Sequence, residues 1–297
     1  MRVDPRRSTA FTAAVDTGSL ELAASQLGIS PSAISQRISA LEQEFGTPLL
    51  VRSRPCRPTV PGMRLLQYLR RSTLLESEFL LEMGVDAGPA RVALAVNNDT
   101  LATWLLPALA PILAEEALLV DFVLDNQGHT FALLEEGRAV ACIAGNAQPM
   151  HGCTATLLGV MRYRMVAASS FARRWFPEGL NREAAGRAPV VVFDRKDSLQ
   201  AAFLLEHLGL PEGSYPCHYV PASDPYVAAI RLGFGYGMLP LEQCQAMLDE
   251  GGLVDLAPQL HTDVPLYWHA WRIQPQRVER MGAALVKAAH GVLLPLS

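Results

Sequence analysis

The sequence predicts two unlike domains joined by a helix: a winged helix-turn-helix head and a larger α/β body. Three observations carry this. Residues 21–46, "ELAASQLGISPSAISQRISALEQEFG", hold two short amphipathic patterns joined by a glycine turn. Residues 63–83 form an apolar helical run without Gly or Pro. From about residue 90 onward, strand-like and helix-like segments alternate.

A chain of 297 residues is long enough for two ordinary domains, and with half of it apolar a sizeable core can form. Charge is unevenly spread. Residues 1–64 carry eight Arg (Arg2, Arg6, Arg7, Arg37, Arg52, Arg54, Arg57, Arg64) against five acids, a net +3, so the rest carries −7 of a total of −4. A basic head on an acidic body suits a head that meets phosphate and a body that does not. The opening "MRVDPRRSTAF" has no apolar signal-peptide core, and no run approaches the roughly 18 apolar residues of a membrane span. A cytoplasmic protein with no membrane partner is expected. Cys56, Cys142, Cys153, Cys217 and Cys244 are scattered and without a C-x-x-C pair, so reduced structural thiols are expected.

In the head, Leu22, Ala23 and Leu27 give residues 20–27 one apolar face, and Gly28 suits a left-handed helix end. Ser30 is placed to cap the next helix, with Pro31 at its first position. Ile34, Ile38, Leu41 and Phe45 form that helix's buried face; Ser32, Ser35, Gln36, Arg37 and Ser39 form the other, with no acid before Glu42. Such a face can enter a major groove without repulsion: Gln pairs with adenine, Arg with guanine, Ser with bases or phosphates. A merely solvated face is the plainer alternative, but it usually mixes Glu and Lys freely. The stretch "GTPLLVRSRPCRPTVPG" then offers a short strand at 49–51 and a stiff loop with Arg52, Arg54 and Arg57, suited to phosphate or minor-groove contact.

The 63–83 run is apolar over too wide an arc for one buried stripe. It requires packing against the head and a second copy of itself, or against the core of the next domain. "GVDAGPA", 84–90, reads as a hinge. In the body, the alternation implies mostly parallel α/β units. No G-x-G-x-x-G follows the first strand and no phosphate-loop motif occurs, so no nucleotide cofactor is expected. "GFGYG", 233–237, precedes a strand and reads as a helix end and turn.

Ligands of open α/β sheets bind beyond the carboxyl ends of strands. Here those corners are Asn97-Asn98-Asp99-Thr100, Asp125-Asn126, Gly145-Asn146, Phe193-Asp194 and Ser223-Asp224. Each Asp alone is an ordinary helix cap. Four acids at corners of one cleft fit a small zwitterion with an extra positive charge, a basic amino acid, its carboxylate meeting a helix N-terminus near Thr100. The candidate set is Asn98, Asp99, Thr100, Asp125, Asn146, Asp194, Ser223 and Asp224. In "LYWHAW", His269 has no second His at ligand spacing, so no metal is expected there; a buried structural strand is the plainer role.

The run Phe11, Ala14, Val15, Gly18, Ser19, Ala23-Ala24, Leu27, Ser32-Ala33-Ile34-Ser35-Gln36, Ile38, Leu41-Glu42, Gly46, Leu49, Arg52, Thr59, Gly62 resembles the N-terminal domain of LysR-type transcriptional regulators. Leu50-Val51-Arg52 departs from the common Phe-x-Arg, and Pro58-Thr59 from Leu-Thr. Both departures, with "NNDTLATWLLPALAPILA", "APVVVFD", "PCHYVPAS", "WFPEG" and "LYWHAW", resemble the lysine- and arginine-responsive branch. The resemblance implies a winged helix-turn-helix domain at 1–60, a dimerising linker helix at 61–86 and an effector-binding domain at 87–297. The last is periplasmic-binding-protein-like, with two Rossmann-like subdomains, I at about 91–162 and 268–297 and II at about 163–267. Strands would cross near 160–166 and 264–269, and a helix at about 276–293 would return to subdomain I. The resemblance turns Ser30, Ser32, Ser35, Gln36 and Arg37 toward DNA. It implies a double-stranded operator, RNA polymerase, a homodimer or dimer of dimers, and L-lysine or L-arginine as effector, with L-histidine a further candidate. It also implies control of an amino-acid exporter gene. "NQGHT", 126–130, is less acidic than in that branch and leaves the ligand preference open. A LysR-type regulator of another effector is one alternative and a solute-binding protein a second, which the head and the missing signal peptide disfavour. An enzyme lacks a visible nucleophile–base pair.

Overall fold

The computed structural model describes residues 3–85, 88–125 and 130–296. The head is three helices and a two-stranded wing: α1 (Pro5–Thr17), α2 (Leu20–Leu27), α3 (Pro31–Phe45), β1 (Leu50–Val51) and β2 (Arg57–Pro58). Local signals set its limits. Ser19 Oγ accepts the Leu22 N–H and Ser30 Oγ the Ala33 N–H. Gly28, at φ 64°, ends α2 and returns its N–H to the carbonyls of Ala24 and Ser25. Phe11, Ala14, Ala23, Ile34, Ile38, Leu41 and Leu49 form one closed core.

Helix α4 (Val60–Glu82) leaves the wing, capped by Thr59. It serves two cores: Leu65 and Leu66 complete that of the head, and Leu74 enters that of the body. A polar clamp adds to this. Arg277, 2% exposed, donates from Nε to Glu78 (2.7 Å), from Nη2 to Ser77 (3.1 Å) and from Nη1 to the Ala117 carbonyl (3.1 Å). Arg71 lies 4.3 Å over the Trp271 ring, and Arg70 pairs with Asp16 of α1. Tyr68, Leu75 and Phe79 remain exposed as a stripe. Of the two readings of this run, packing on the next domain and on the head is what the single chain displays. Residues 86 and 87 of the expected hinge lie outside the described residues.

The body starts with β3 (Ala90–Val96). A helical stretch follows as α5 (Asn98–Thr100), a π-helical turn at Leu101–Leu105 and α6 (Leu106–Glu115). Then come β4 (Leu118–Leu124), α7 (Thr130–Glu135), β5 (Ala141–Ala144) and the sixteen-residue β6 (Cys153–Ala168). The second half holds α8 (Ser169–Trp175), α9 (Arg182–Arg187), β7 (Val190–Val192), α10 (Leu199–Leu208) and β8 (Cys217–Tyr219). It continues with α11 (Ser223–Arg231), β9 (Gly237–Pro240), α12 (Leu241–Asp249) and β10 (Leu253–Asp255). Strand β11 (Thr262–Trp271) returns to the first half, and α13 (Gln276–Ala289) packs there against α6.

The central sheet runs β10-β6-β11-β5-β3-β4, with β9 also on β6. Parallel pairs β3–β4, β3–β5 and β7–β8 match the expected α/β units. The four pairs made by β6 and β11 with β5, β9, β10 and each other are antiparallel, so the sheet is mixed rather than mostly parallel. The reason is geometric: a strand that leaves one half to enter the other runs against the strands it joins. Where β6 and β11 cross, the register shifts between Leu266 and Tyr267. Gly159 sits there at φ 137°; a Cβ on it would lie 2.7 Å from Leu293 Cβ, so the returning C-terminal segment demands glycine.

Candidate nucleic-acid interface and effector cleft

On α3, Gln36 is exposed and Arg37 half-buried, on the face away from the head core. Ser30 and Ser32 share a hydrogen bond (2.9 Å) at the helix start. Arg52, from the wing, reaches back to α3, donating to Ser35 Oγ (3.0 Å) and Ser39 Oγ (2.8 Å). Its guanidinium also lies 3.7 Å from Glu42. Glu42 accepts the N–H groups of Leu49 (2.9 Å) and Leu50 (3.2 Å) with its other oxygen. Thus Ser35 and Arg52 are engaged with each other, and Glu42 anchors the wing to α3. Arg54, almost fully exposed, stands 3.8 Å from Glu21, and Arg57 is exposed. Arg37 on α3, Arg52 folded from the wing onto α3, and the exposed Arg54 and Arg57 of the wing give the head a cationic rim.

In the body, a cavity of about 310 Å³ opens between the two halves at the carboxyl ends of β3, β4 and β7. Asn97, Asn98 and Asp99 border it from the turn after β3, and Leu124 and Asp125 from the end of β4. Tyr163 of β6 lines the crossing. From the second half come Phe193, Asp194, Lys196, Asp197, Leu199 and Gln200, with Pro221, Tyr226 and Met238 closing the wall.

Four carboxylates therefore converge. Asp99 accepts the Tyr163 hydroxyl (2.7 Å). Burial pushes its carboxyl up to about 6, with the charge of Asp197 adding to the rise and the Tyr163 bond opposing it. Asp197 is raised as well, first by burial and then by Asp194, although it accepts the Leu199 N–H (2.9 Å). Asp194 accepts two turn N–H groups, from Lys196 (2.7 Å) and Asp197 (2.9 Å). It is a turn cap and a cleft wall at once. Glu242 at the start of α12 is raised by burial and by the charge of Asp99. Lys196 is the only cation among the described lining residues, and it pairs with Asp125 (3.6 Å) across the cleft. The site is short of positive charge, and a bound cation would relieve it.

Of the eight sequence-derived effector candidates, Asn98, Asp99, Asp125 and Asp194 line this cavity. Four do not. Thr100 is fully buried under the helix, its N–H taken by Asn97 Oδ1 (3.0 Å). Asn146 lies in a separate depression with Phe131, Glu135 and Asp263, where its side chain caps the turn at Gln148. Ser223 is held by Gln243 of α12 (2.9 Å), and Asp224 is exposed, so this segment faces the cleft with Pro221 and Tyr226 instead. Asn126 and most of "NQGHT" lie outside the described residues; Thr130 is buried and donates to the Ile143 carbonyl. His269 is buried in β11 against Asn146 O (2.7 Å) and Phe131, a structural placement. Sequence reasoning missed Tyr163, Lys196, Asp197, Gln200 and Tyr226. Asp197 had a signal, since it shares the turn "FDRKD" with Asp194.

A helix-turn-helix head with a cationic rim, carried on a helix that also packs into a two-lobed α/β body with an acidic interlobe cleft, defines a ligand-responsive DNA-binding regulator. Residues 5–63 match bacterial regulatory helix-turn-helix proteins of the lysR family, and residues 87–289 match the LysR substrate binding domain. The HTH-type transcriptional regulator ArgP of Aeromonas salmonicida is 38% identical over 295 residues, 99% of each chain. The crystal structure of ArgP from Mycobacterium tuberculosis superimposes with a TM-score of 0.82 at 35% identity, covering 99% of this chain and 100% of that one. Full-length LysG from Corynebacterium glutamicum with bound effector Arg does so at 0.76 and 31%, with the same coverage. The chain belongs to the LysR family of transcriptional regulators, and it is not an enzyme: these relatives are named as regulators. No helix among the described residues is long and apolar enough to cross a membrane.

Proposed function

We propose that this regulator senses a basic amino acid, L-lysine or L-arginine, in the interlobe cleft and controls an amino-acid exporter gene. The observation that carries the ligand assignment is the convergence of Asp99, Asp125, Asp194 and Asp197 on one cavity of amino-acid size. The arginine in LysG supports the same chemistry. L-histidine is a weaker candidate, being mostly neutral at pH 7. The exporter assignment rests on resemblance to the lysine- and arginine-responsive branch.

On DNA, Ser30, Ser32, Gln36 and Arg37 are the proposed major-groove contacts. Arg52 stiffens the wing, with Arg54 and Arg57 on flanking phosphates. The proposed assembly is a homodimer, or a dimer of dimers, on a double-stranded operator, with the α4 stripe of Tyr68, Leu75 and Phe79 against its copy and RNA polymerase as the final partner. Ligand that binds the closed cleft better than the open one shifts the relative placement of the heads.

The test is calorimetric titration of the full chain with L-lysine, L-arginine, L-histidine and L-leucine. Saturable binding of the cationic amino acids and not of leucine is expected. Equal binding of leucine, or none at all, would sink the ligand assignment and leave a LysR-type regulator of another effector. Retardation of the candidate exporter promoter, with and without ligand, tests the target gene: a promoter that the protein ignores refutes it.

A further inference from the structure

Gln200, on the first turn of α10, is 2% exposed and lines the cleft. Its amide nitrogen is anchored, donating to the Tyr226 hydroxyl (2.5 Å) and to the Val191 carbonyl (3.3 Å). A carbonyl only accepts, so the amino end of the amide must face Val191 and the oxygen must face away from it. Tyr226 is committed too, approaching the carbonyls of Val191 and Met238 (3.2 Å each). Gln200 Oε1 is then left buried without a hydrogen-bond partner. A buried acceptor with no donor bears a desolvation cost that a methionine of similar shape would avoid. The acceptor therefore awaits a donor from outside the fold. Asp197, one turn earlier, faces the same amide and supplies negative charge beside it. A group that brings both N–H donors and positive charge satisfies the two together.

We propose that Gln200 reads the distal cation of the ligand. Its Oε1 accepts an N–H from the side-chain ammonium or guanidinium, with Asp197 as counter-charge. The ligand's side chain thus points to the second lobe. This assignment rests on the basic-amino-acid reading, and it adds an orientation and a specificity residue to it.

The test compares the full-length wild type with Gln200→Met and Gln200→Glu by calorimetric titration of L-lysine and L-arginine. Methionine removes acceptor and donor; glutamate keeps the acceptor and removes the donors to Val191 and Tyr226. We expect Gln200→Met to weaken both ligands by about 10- to 100-fold, and Gln200→Glu to bind them as tightly as wild type or tighter. Two results overturn the assignment alone: Gln200→Met binding like wild type, or both variants falling together, which would make the amide a support for Tyr226. A wild type that binds neither amino acid overturns the assignment together with the reading beneath it.

Discussion

Asp99→Asn should stabilise the ligand-free protein while weakening its grip on a cationic ligand. The carboxyl is shifted from 3.8 to about 6, chiefly by burial. Each unit is worth 1.36 kcal/mol, so the folded state carries about 3 kcal/mol of unfavourable charge at pH 7. The sign follows from linkage. The folded pKa lies above the unfolded one, so the unfolded chain binds fewer protons between the two, and stability falls as pH rises from about 4 to about 6 and is level above. At pH 5 the penalty is about 1.5 kcal/mol. Asparagine keeps an acceptor for the Tyr163 hydroxyl and removes the charge. Setting about 1 kcal/mol against the desolvation of its new amino group, a net gain of about 2 kcal/mol remains at pH 7. For a unit of this size that is about 4–8 °C in melting temperature. Scanning calorimetry of both ligand-free proteins at pH 7 and pH 5 reads it. A variant that melts at or below wild type at pH 7, or a gap that does not narrow at pH 5, refutes the reasoning. Titration with L-lysine and L-arginine on the same samples should show weaker binding by the variant.

The same carboxyl makes ligand affinity depend on pH: a cation beside Asp99 favours its charged form, so wild-type affinity for L-lysine should rise between about pH 5 and pH 7. A flat titration series would count against contact with Asp99. Arg37→Ala should cost about 1–3 kcal/mol of operator affinity if the guanidinium pairs with a base; unchanged retardation removes it from the reading face. Arg54→Ala should weaken specific and non-specific DNA alike and lower the salt slope by about one, and base-selective loss would disprove a phosphate role. Glu78→Leu leaves the buried Arg277 without its counter-charge and should cost about 3–5 kcal/mol. Chemical denaturation showing under about 1 kcal/mol would mean that Ser77 and the Ala117 carbonyl suffice.

The head was legible because its signals are local. Ser30 caps the helix it precedes, and the apolar spacing of Ile34, Ile38 and Leu41 marks the face that is buried. Strand ends in the body were legible for the same reason, which is why Asn98, Asp99, Asp125 and Asp194 arrive at one cavity. Membership of that cavity beyond the corners is a tertiary matter. Tyr163, Gln200 and Tyr226 lie inside regular elements, and only strand register and helix rotation aim them inward. Asn146 and Ser223 fail in the opposite way: each ends up at a corner whose side chain is consumed locally, by Gln148 and by Gln243. Arg52 shows a third limit. Its charge was legible, but its commitment to Ser35 and Ser39 depends on how the wing folds back on α3.

The clamp around α4 makes the head, α4 and the first lobe one packed unit. Arg277, Leu74 and the Arg71–Trp271 stack fix α4 to the first lobe, while Leu65 and Leu66 fix it to the head. The second lobe connects to the first through the crossing strands β6 and β11, where Gly159 marks the register shift. On the proposed reading, a ligand held by Asp99 on one lobe and by Asp197 and Gln200 on the other favours closure, because only the closed form makes both sets of contacts. On the same reading closure turns the second lobe against a unit that already includes α4, and in the proposed dimer that displacement would pass to the partner copy. Linkage makes the effect reciprocal: whatever operator arrangement favours the closed form must raise ligand affinity by the same factor by which ligand raises affinity for that operator. A ligand equally at home in both forms, however tightly it bound, would move nothing.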